Sequence, residues 1–186
     1  MDKQTLRKTV RELLKSRLSD GDCPKILKLK EFLESDIVLS YIPSGGEADC
    51  TPAMMKALSL GKKTALPRVV PGTSEMDFYY IGSEKDISLQ LEEGAFGIME
   101  PLKSLEKVQV TEEELSGKKI FVIVPGVAFT SDGKRLGHGK GFYDIYIERL
   151  KKACPDVFLC GFCNSFQIFE DIPCEEHDIK MDTVIF

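Results

Sequence analysis

Short apolar runs rich in β-forming residues alternate along the chain with segments in which apolar residues recur at helical spacing. The helical spacing occurs at residues 2–18, 24–34, 51–60 and 141–154. The apolar runs occur at residues 36–42, 63–69, 77–81, 120–125, 157–162 and 183–186. Because strands that alternate with helices build βαβ units, the pattern predicts an α/β fold with a mostly parallel sheet covered on both faces.

The remaining long stretch, residues 82–117, mixes glycine, glutamate and lysine, and we expect mostly loop there. A chain of 186 residues fits one domain, which we take as residues 1–186. In parallel sheets, ligands bind beyond the carboxyl ends of the strands. The loops that follow the strands predicted at 36–42 and 120–125 are therefore the expected location of a site.

The net charge of the chain argues against some classes of binding partner. The formal net charge is −5, from 25 lysines and arginines against 30 aspartates and glutamates. A nucleic-acid-binding or polybasic membrane surface would need an excess of cations, so we expect neither partner. No apolar stretch approaches the roughly 20 residues of a membrane-spanning helix, and the first residues lack the apolar centre of a secretion signal. We therefore expect a cytoplasmic protein, and we expect a monomer.

Two close pairs of residues are of types that bind metal ions. Cys160 and Cys163 are followed after ten residues by Cys174 and His177. Four such residues could form a zinc site. The alternative is that the first two are small apolar residues of a buried strand. Residues three apart on a strand face opposite sides, which favours the alternative.

The richest stretch for chemistry runs from residue 125 to 144, between the strongest predicted strand and the last long helix. Its alternate glycines are Gly137, Gly139 and Gly141. Glycines allow close backbone approach, and their N–H groups together with a helix N-terminus favour an anion. Arg135 and Lys140 would add the charge that phosphates need, and Asp144 could hold Mg²⁺ beside them. The stretch is neither a Walker A loop nor a G-x-G-x-x-G motif, and a flexible solvated loop is the alternative.

A second cationic feature lies on the first predicted helix. Lys3, Arg7 and Arg11 recur four residues apart and therefore share one face. Such a stripe is consistent with a solvated helix face. It is also consistent with a surface that contacts an anionic ligand.

The stretch from Pro125 to Asp144, PGVAFTSDGKRLGHGKGFYD, resembles the signature of the 5-formyltetrahydrofolate cyclo-ligase family, also called 5,10-methenyltetrahydrofolate synthetase. Every fixed position of PG-x-x-F-x-x-x-G-x-R-L-G-x-G-x-G-[FY]-Y-D is met. Other segments resemble the family's elements in the same order. They are Lys3 with Arg7, Ile42-Pro43 with Glu47, GIMEP at 97–101, and HDIKMD at 177–182. The resemblance thus spans almost the whole chain.

The resemblance implies a three-layer α/β/α architecture similar to the ribose-5-phosphate isomerase and CoA-transferase group. It also implies a reaction in which 5-formyltetrahydrofolate, with or without a polyglutamate tail, and MgATP give 5,10-methenyltetrahydrofolate, ADP and phosphate. In this family the formyl oxygen attacks the γ-phosphorus, and N10 then closes the ring. Phosphoryl transfer depends on positioning and charge neutralisation, so no protein nucleophile is expected.

The resemblance also implies roles for the matching positions. The ATP-binding residues would be Lys3, Arg7, Arg135, Leu136, Gly137, His138, Gly139, Lys140, Gly141, Phe142 and Tyr143. The folate-binding residues would be Ile42, Glu47, His138, Gly139, Lys140, Gly141 and Phe142. The catalytic residues would be Arg135 and Lys140, and the Mg²⁺ ligands would be Asp144 and Asp182. Glu100 has no assigned role.

Two positions depart from the family pattern. His138 stands where relatives often carry arginine, and only a protonated imidazole would supply the same charge. Phe142 stands where many relatives have tyrosine, so the hydrogen bond of that hydroxyl is absent here. These departures concern substrate affinity and leave the implied reaction unchanged.

Overall fold

The computed structural model describes residues 2–82, 86–173, 175 and 178–186, except for the side chain of Phe96. Its helices are α1 Lys3–Ser16, α2 Cys23–Ile26, α3 Lys30–Glu34, α4 Thr51–Ser59, α5 Glu112–Leu115 and α6 Phe142–Ala153. Its strands are β1 Ile37–Leu39, β2 Lys63–Val69, β3 Met76–Ile81, β4 Leu91–Glu93, β5 Met99–Pro101, β6 Ile120–Val124, β7 Ala128–Phe129, β8 Arg135–Leu136, β9 Val157–Phe162 and β10 Thr183–Ile185. Short 3₁₀ turns occupy Ile87–Gln90, Ala95–Gly97 and Ser165–Gln167.

Six of these strands form the central sheet, in the order β10-β9-β6-β1-β2-β3. All neighbouring strands are parallel except β2 and β3, which form an antiparallel hairpin at one edge. The hairpins β4–β5 and β7–β8 lie outside the central sheet. The structure confirms the predicted α/β fold with a mostly parallel sheet.

Helices cover both faces of the sheet, which makes three layers. On one face, Ile120, Val122 and Val124 of β6 pack with Tyr146 and Ile147 of α6. On the other face, the core is formed with α2, α3 and α4, and its members include Phe121, Ile123, Ile26, Phe32 and Ala53. Since β6 is buried on both faces, it has the continuous apolar sequence typical of a central parallel strand.

Helix α1 packs on the hairpin β7–β8 rather than on the central sheet. Its buried residues Leu6, Val10 and Leu14 join a separate cluster with Ala128 and Leu136 of the hairpin. The N-terminus is capped by the Asp2 carboxylate, which accepts hydrogen bonds from the N–H groups of the first turn. These contacts bring α1 beside the glycine-rich stretch that follows β8.

Several predicted boundaries were wrong. The helix expected over residues 24–34 is two short helices, because the chain becomes extended at Leu29. Most of the described part of the region 82–117 lies outside α-helices and strands, as expected, but the hairpin β4–β5 and α5 within it were not predicted. The two-residue strands β7 and β8 were not predicted, since elements this short show no periodicity. Within the described part of the chain, no helix has the length and apolar character needed to cross a bilayer.

Candidate active site

A cavity of about 920 Å³ opens at the carboxyl ends of β1, β2 and β6. Its walls come from α1, the loop after β1, the end of β2, the hairpin β4–β5 and the stretch from β8 into α6. This volume is at the upper end of the range for a small-molecule site, about 300–1,000 Å³. The position agrees with the location expected for a parallel sheet.

Nearly all predicted site residues line this one cavity. They are Lys3, Arg7, Ile42, Glu47, Arg135, Leu136, Gly137, His138, Gly139, Lys140, Gly141, Phe142, Tyr143 and Asp144. Asp182 does not line it. The structure therefore brings together segments from the start, the first third and the last third of the chain.

The glycine-rich loop has the backbone conformation that only glycine adopts easily. Gly139 has φ of +95° and Gly141, which caps the N-terminus of α6, has φ of +73°. A Cβ on Gly139 would lie 3.3 Å from the guanidinium carbon of Arg7. The two glycines thus permit both the left-handed turn and the close approach of α1.

The cationic face of α1 points toward this loop. Arg7 Nε donates a hydrogen bond of 2.9 Å to the carbonyl oxygen of Gly137, and Arg11 Nη2 approaches that of His138 at 3.5 Å. Lys3 Nζ lies 2.8 Å from Asp178 and 2.9 Å from Glu175. All three cations line the cavity, so the stripe does not simply face open solvent. Arg11 is a lining residue to which the sequence had assigned no role.

Arg135 is buried beneath the loop and is already paired. Its Nη2 donates to Asp144 Oδ1 at 2.8 Å, and its Nη1 donates to the carbonyl oxygen of Pro125 at 3.2 Å. Its guanidinium also lies over the ring of Tyr143, 5.7 Å from the centroid. Arg135 therefore fixes the start of α6 relative to the end of β6. By contrast, Lys140 is exposed at the cavity.

The loop after β1 meets the glycine-rich loop across the cavity. His138 Nε2 lies 3.4 Å from Glu47 Oε1. Glu47 Oε2 accepts a hydrogen bond of 3.0 Å from the N–H of Ser44, which fixes the carboxylate. Ile42 lies beside them, half-buried. The residues predicted for the folate and the residues predicted for the phosphates therefore face one another.

Tyr143 carries a buried hydroxyl with no hydrogen-bond partner among the described residues. Burial raises the pKa of this phenol well above its ordinary value, and the nearby Glu47 carboxylate raises it further. The hydroxyl is therefore neutral and able to donate a hydrogen bond. A buried hydroxyl without a hydrogen-bond partner lowers the stability of the fold by about 1–3 kcal/mol. Such a group in a cavity wall calls for an explanation, and a hydrogen bond to a bound ligand is one.

Asp182, which was predicted to share a Mg²⁺ ion with Asp144, does not line the cavity that Asp144 lines. It precedes β10, which is parallel to β9, and it lines a small hollow with Lys119 and Asp156 at the amino ends of the strands. Its Oδ2 accepts a hydrogen bond of 2.7 Å from the N–H of Leu159. The carboxylate thus fastens β10 to β9.

The zinc alternative finds no support in the described residues. Cys160 and Cys163 are buried and belong to the cores on opposite faces of the sheet, as expected for residues three apart. Burial raises the pKa of both thiols, that of Cys163 to about 12, so they stay protonated. Cys174 and His177 lie outside the described residues. Within the described ranges, no cluster of three or more potential ligands is suited to a metal ion.

Sequence reasoning missed one wall of the cavity. Ile98, Met99 and Glu100 of the hairpin β4–β5 line it, together with Val69 and Met76 from the edge of the sheet. The signal was the GIMEP segment, whose resemblance was recognised without a role for its residues.

Comparisons with known proteins agree on one family. The chain matches the 5-formyltetrahydrofolate cyclo-ligase family over residues 2–186. A probable 5-formyltetrahydrofolate cyclo-ligase of Caenorhabditis elegans is 31% identical, with 91% of this chain and 82% of the relative covered. The enzyme of that name from Mus musculus is 29% identical, with 87% and 78% covered. The NMR structure of Aquifex aeolicus 5,10-methenyltetrahydrofolate synthetase has a TM-score of 0.75 and 35% identity, and covers 100% of this chain and 89% of that chain.

Proposed function

Since the chain belongs to the 5-formyltetrahydrofolate cyclo-ligase family, we propose that it converts 5-formyltetrahydrofolate to 5,10-methenyltetrahydrofolate and uses MgATP to do so. The observation that carries the proposal is that one cavity holds a glycine-rich cationic loop suited to an anion and, facing it, a fixed carboxylate suited to a pterin. A cytoplasmic location and a monomeric state stay predictions.

The phosphate half of the proposed site is the cationic side of the cavity. Arg7 on α1 and Lys140 in the glycine-rich loop carry positive charge there, and Lys3 on α1 adds an ammonium group that pairs with Glu175 and Asp178 of the same lining. The backbone of residues 137–141 and the N-terminus of α6 add N–H groups and the positive end of a helix dipole. A triphosphate placed there would have its negative charge matched from two sides.

The folate half is the opposite side. Glu47 is the acceptor proposed for the N–H groups of the pterin, and the N–H of Ser44 holds the carboxylate in place. Apolar side chains surround the remaining space, among them Ile42, Met76, Ile98 and Phe142. Such a lining suits the flat rings of a folate, because it removes their apolar surface from water.

The chain also offers a carboxylate that fits a Mg²⁺ ion. Asp144 lines the cavity, is partly exposed, and uses only Oδ1 for Arg135 in the described contacts. Magnesium in phosphate sites usually takes one or two protein carboxylates and fills its other positions with phosphate oxygens and water. When bound, the ion would neutralise part of the triphosphate charge. We propose Asp144 as its protein ligand and leave Asp182 out.

In the proposed reaction, the formyl oxygen of the substrate attacks the γ-phosphorus, and ADP leaves. N10 then attacks the formyl carbon and gives up its proton, the C–O bond breaks, and the oxygen departs with phosphate, which can take that proton. The protein's contribution is to hold the two substrates in line and to neutralise charge. None of these steps needs a protein nucleophile. This agrees with the state of Cys50, which does not line the cavity and whose thiol pKa is raised by burial to about 12, so that it stays protonated.

A spectrophotometric assay tests the proposal. Purified protein given 5-formyltetrahydrofolate, ATP and Mg²⁺ is expected to produce the methenyl chromophore together with an equal amount of ADP. Omission of ATP or of Mg²⁺ is expected to abolish the signal. A complete mixture that yields neither product nor ADP would contradict the proposal.

Substitution of Tyr143 by phenylalanine is expected to weaken the binding of a substrate without lowering the stability of the fold. The free energy of unfolding, measured by urea denaturation, should be unchanged or up to about 1 kcal/mol higher, because the substitution removes a buried hydroxyl with no hydrogen-bond partner among the described residues. If the hydroxyl donates to a bound substrate, the affinity for that substrate should fall roughly tenfold. Calorimetry with ATP and with 5-formyltetrahydrofolate separately identifies which one. A variant that is less stable and binds both substrates normally would contradict this role.

A further inference from the structure

The hairpin β4–β5 forms one wall of the cavity without belonging to the central sheet. Side chains link it to the rest of the fold at both ends. At its base, Gln90 exchanges two hydrogen bonds with Gly82, of 2.8 and 2.9 Å. At its far end, the link is made by Glu100, which is only 4% exposed.

Glu100 satisfies a backbone group that the sheet leaves unpaired. Strand β1 ends at Leu39, opposite Ala65, so the last residues of β2 have no strand beside them on that side. The carbonyl oxygen of Ala65 points to that side, and backbone groups alternate along a strand, so those of Pro67 and Val69 point there too. Proline has no N–H, and the N–H of Val69 donates to Glu100 Oε1 at 3.2 Å.

Arg68 completes the link from the other direction. Its Nη1 donates to the carbonyl oxygen of Pro101 at 2.6 Å and lies 2.8 Å from Glu92 Oε1. Its Nε lies 3.8 Å from Glu100 Oε2. We call the three charged residues Arg68, Glu92 and Glu100 the hairpin clasp. A Cβ on Gly94 would overlap the carboxylate of Glu100, so that carboxylate packs directly on the hairpin turn.

The two carboxylates of the clasp have different surroundings. Glu100 is buried and lines the cavity, next to Ile98 and Met99. Glu92 has a side chain 44% exposed and does not line the cavity. Both pair with the same arginine, but only Glu100 lines the cavity. Substitutions of the two residues therefore distinguish the loss of a charge beside Arg68 from a change in the cavity wall.

We propose that Glu100 is a positioning residue for the folate substrate: it holds the hairpin wall against the end of β2 so that Ile98 and Met99 bound the apolar half of the cavity. This inference rests on the proposed function. Ile98 and Met99 belong to the apolar lining proposed for the folate, and the printed contacts of Glu100 involve none of the residues proposed for the phosphates, so we expect Glu100 to act on the folate and not on ATP.

The test compares Glu100→Gln with Glu92→Gln in steady-state kinetics of the whole enzyme. Glutamine keeps the shape and an acceptor for the N–H of Val69 but removes the charge that faces Arg68. In Glu100→Gln, the KM for 5-formyltetrahydrofolate is expected to rise about fivefold or more, while kcat and the KM for ATP stay within about twofold. In Glu92→Gln, all three are expected to stay within about twofold. Arg68→Lys, which keeps the charge but not the planar fork, is expected to raise the folate KM as well.

The outcomes are distinguishable from those that test the proposed function. The wild-type assay comes first, and absence of product there overturns the proposed function. In a working enzyme, an unchanged folate KM in Glu100→Gln and Arg68→Lys overturns the role of Glu100, even if the melting temperature falls. An equal rise of the folate KM in Glu92→Gln also overturns it, because the effect would then not depend on the cavity wall.

Discussion

Replacement of Lys140 by alanine is expected to lower kcat about 100-fold or more while leaving the melting temperature unchanged. Lys140 is exposed between Gly139 and Gly141 and lines the cavity. Its ammonium group contributes nothing to the core, so its loss should not unfold the protein. A cation placed where negative charge is transferred acts on the transition state, and its removal therefore lowers kcat rather than only raising a KM.

The matched control for this experiment is Lys134→Ala. Lys134 lies in the same motif, but its Nζ pairs with Asp171 at 2.6 Å and it does not line the cavity. Its activity is expected to stay within about twofold of the wild type. Steady-state kinetics and thermal denaturation of both variants provide the comparison. A Lys140→Ala enzyme with more than half of the wild-type kcat would show that this lysine does not act on the transferred phosphate.

The elements that could be predicted from sequence are those with a long, clear period. The strand predicted at 63–69 and the strand predicted at 157–162 have the observed bounds, and α1 and α6 differ from prediction by two residues or fewer at each end. The hairpins β4–β5 and β7–β8 could not be predicted, because their strand sequences, LEE, MEP, AF and RL, lack the apolar run of β-forming residues that marks the similarly short β1 and β10.

The site was predictable where the chain order itself indicates the location. Residues of the glycine-rich stretch follow β6 and precede α6, so they had to lie at the carboxyl end of the sheet. That α1 would reach the same loop could not be derived from periodicity, because it depends on the packing of Leu6 and Val10 on β7–β8. For these residues, the family resemblance supplied what physical reasoning could not.

For Asp182, by contrast, the position in the chain disfavours the role that the resemblance implies. Asp182 lies just before β10, at the amino end of that strand and opposite Leu159 of β9, whereas Asp144 lies in the first turn of α6, after the loop that follows β6. The role predicted for Asp182 came only from the resemblance at HDIKMD. The structure separates the two carboxylates and gives Asp182 a hydrogen bond to the backbone of Leu159.

Substitution of Asp144 by asparagine is expected to raise the Mg²⁺ concentration needed for half-maximal activity and to lower kcat/KM for MgATP, both by about tenfold or more. The amide removes the negative charge that the ion needs but keeps an oxygen that can accept the hydrogen bond from Arg135. The fold should therefore survive, with a modest loss of stability because the buried guanidinium loses its ionic partner. Titration of Mg²⁺ at fixed ATP, together with urea denaturation, measures both effects.

Asp182→Ala is the control that decides between the two carboxylates. It leaves the N–H of Leu159 without its acceptor, so the free energy of unfolding should fall by about 1 kcal/mol. Because Asp182 lines the separate hollow with Lys119 and Asp156 and does not line the cavity, the Mg²⁺ titration of this variant should superimpose on that of the wild type. If Asp182→Ala shifted the titration as far as Asp144→Asn does, the ion would have to contact both residues, and the separation of the two ends of the sheet would be wrong. If Asp144→Asn left the titration unchanged, Asp144 would serve only to hold Arg135.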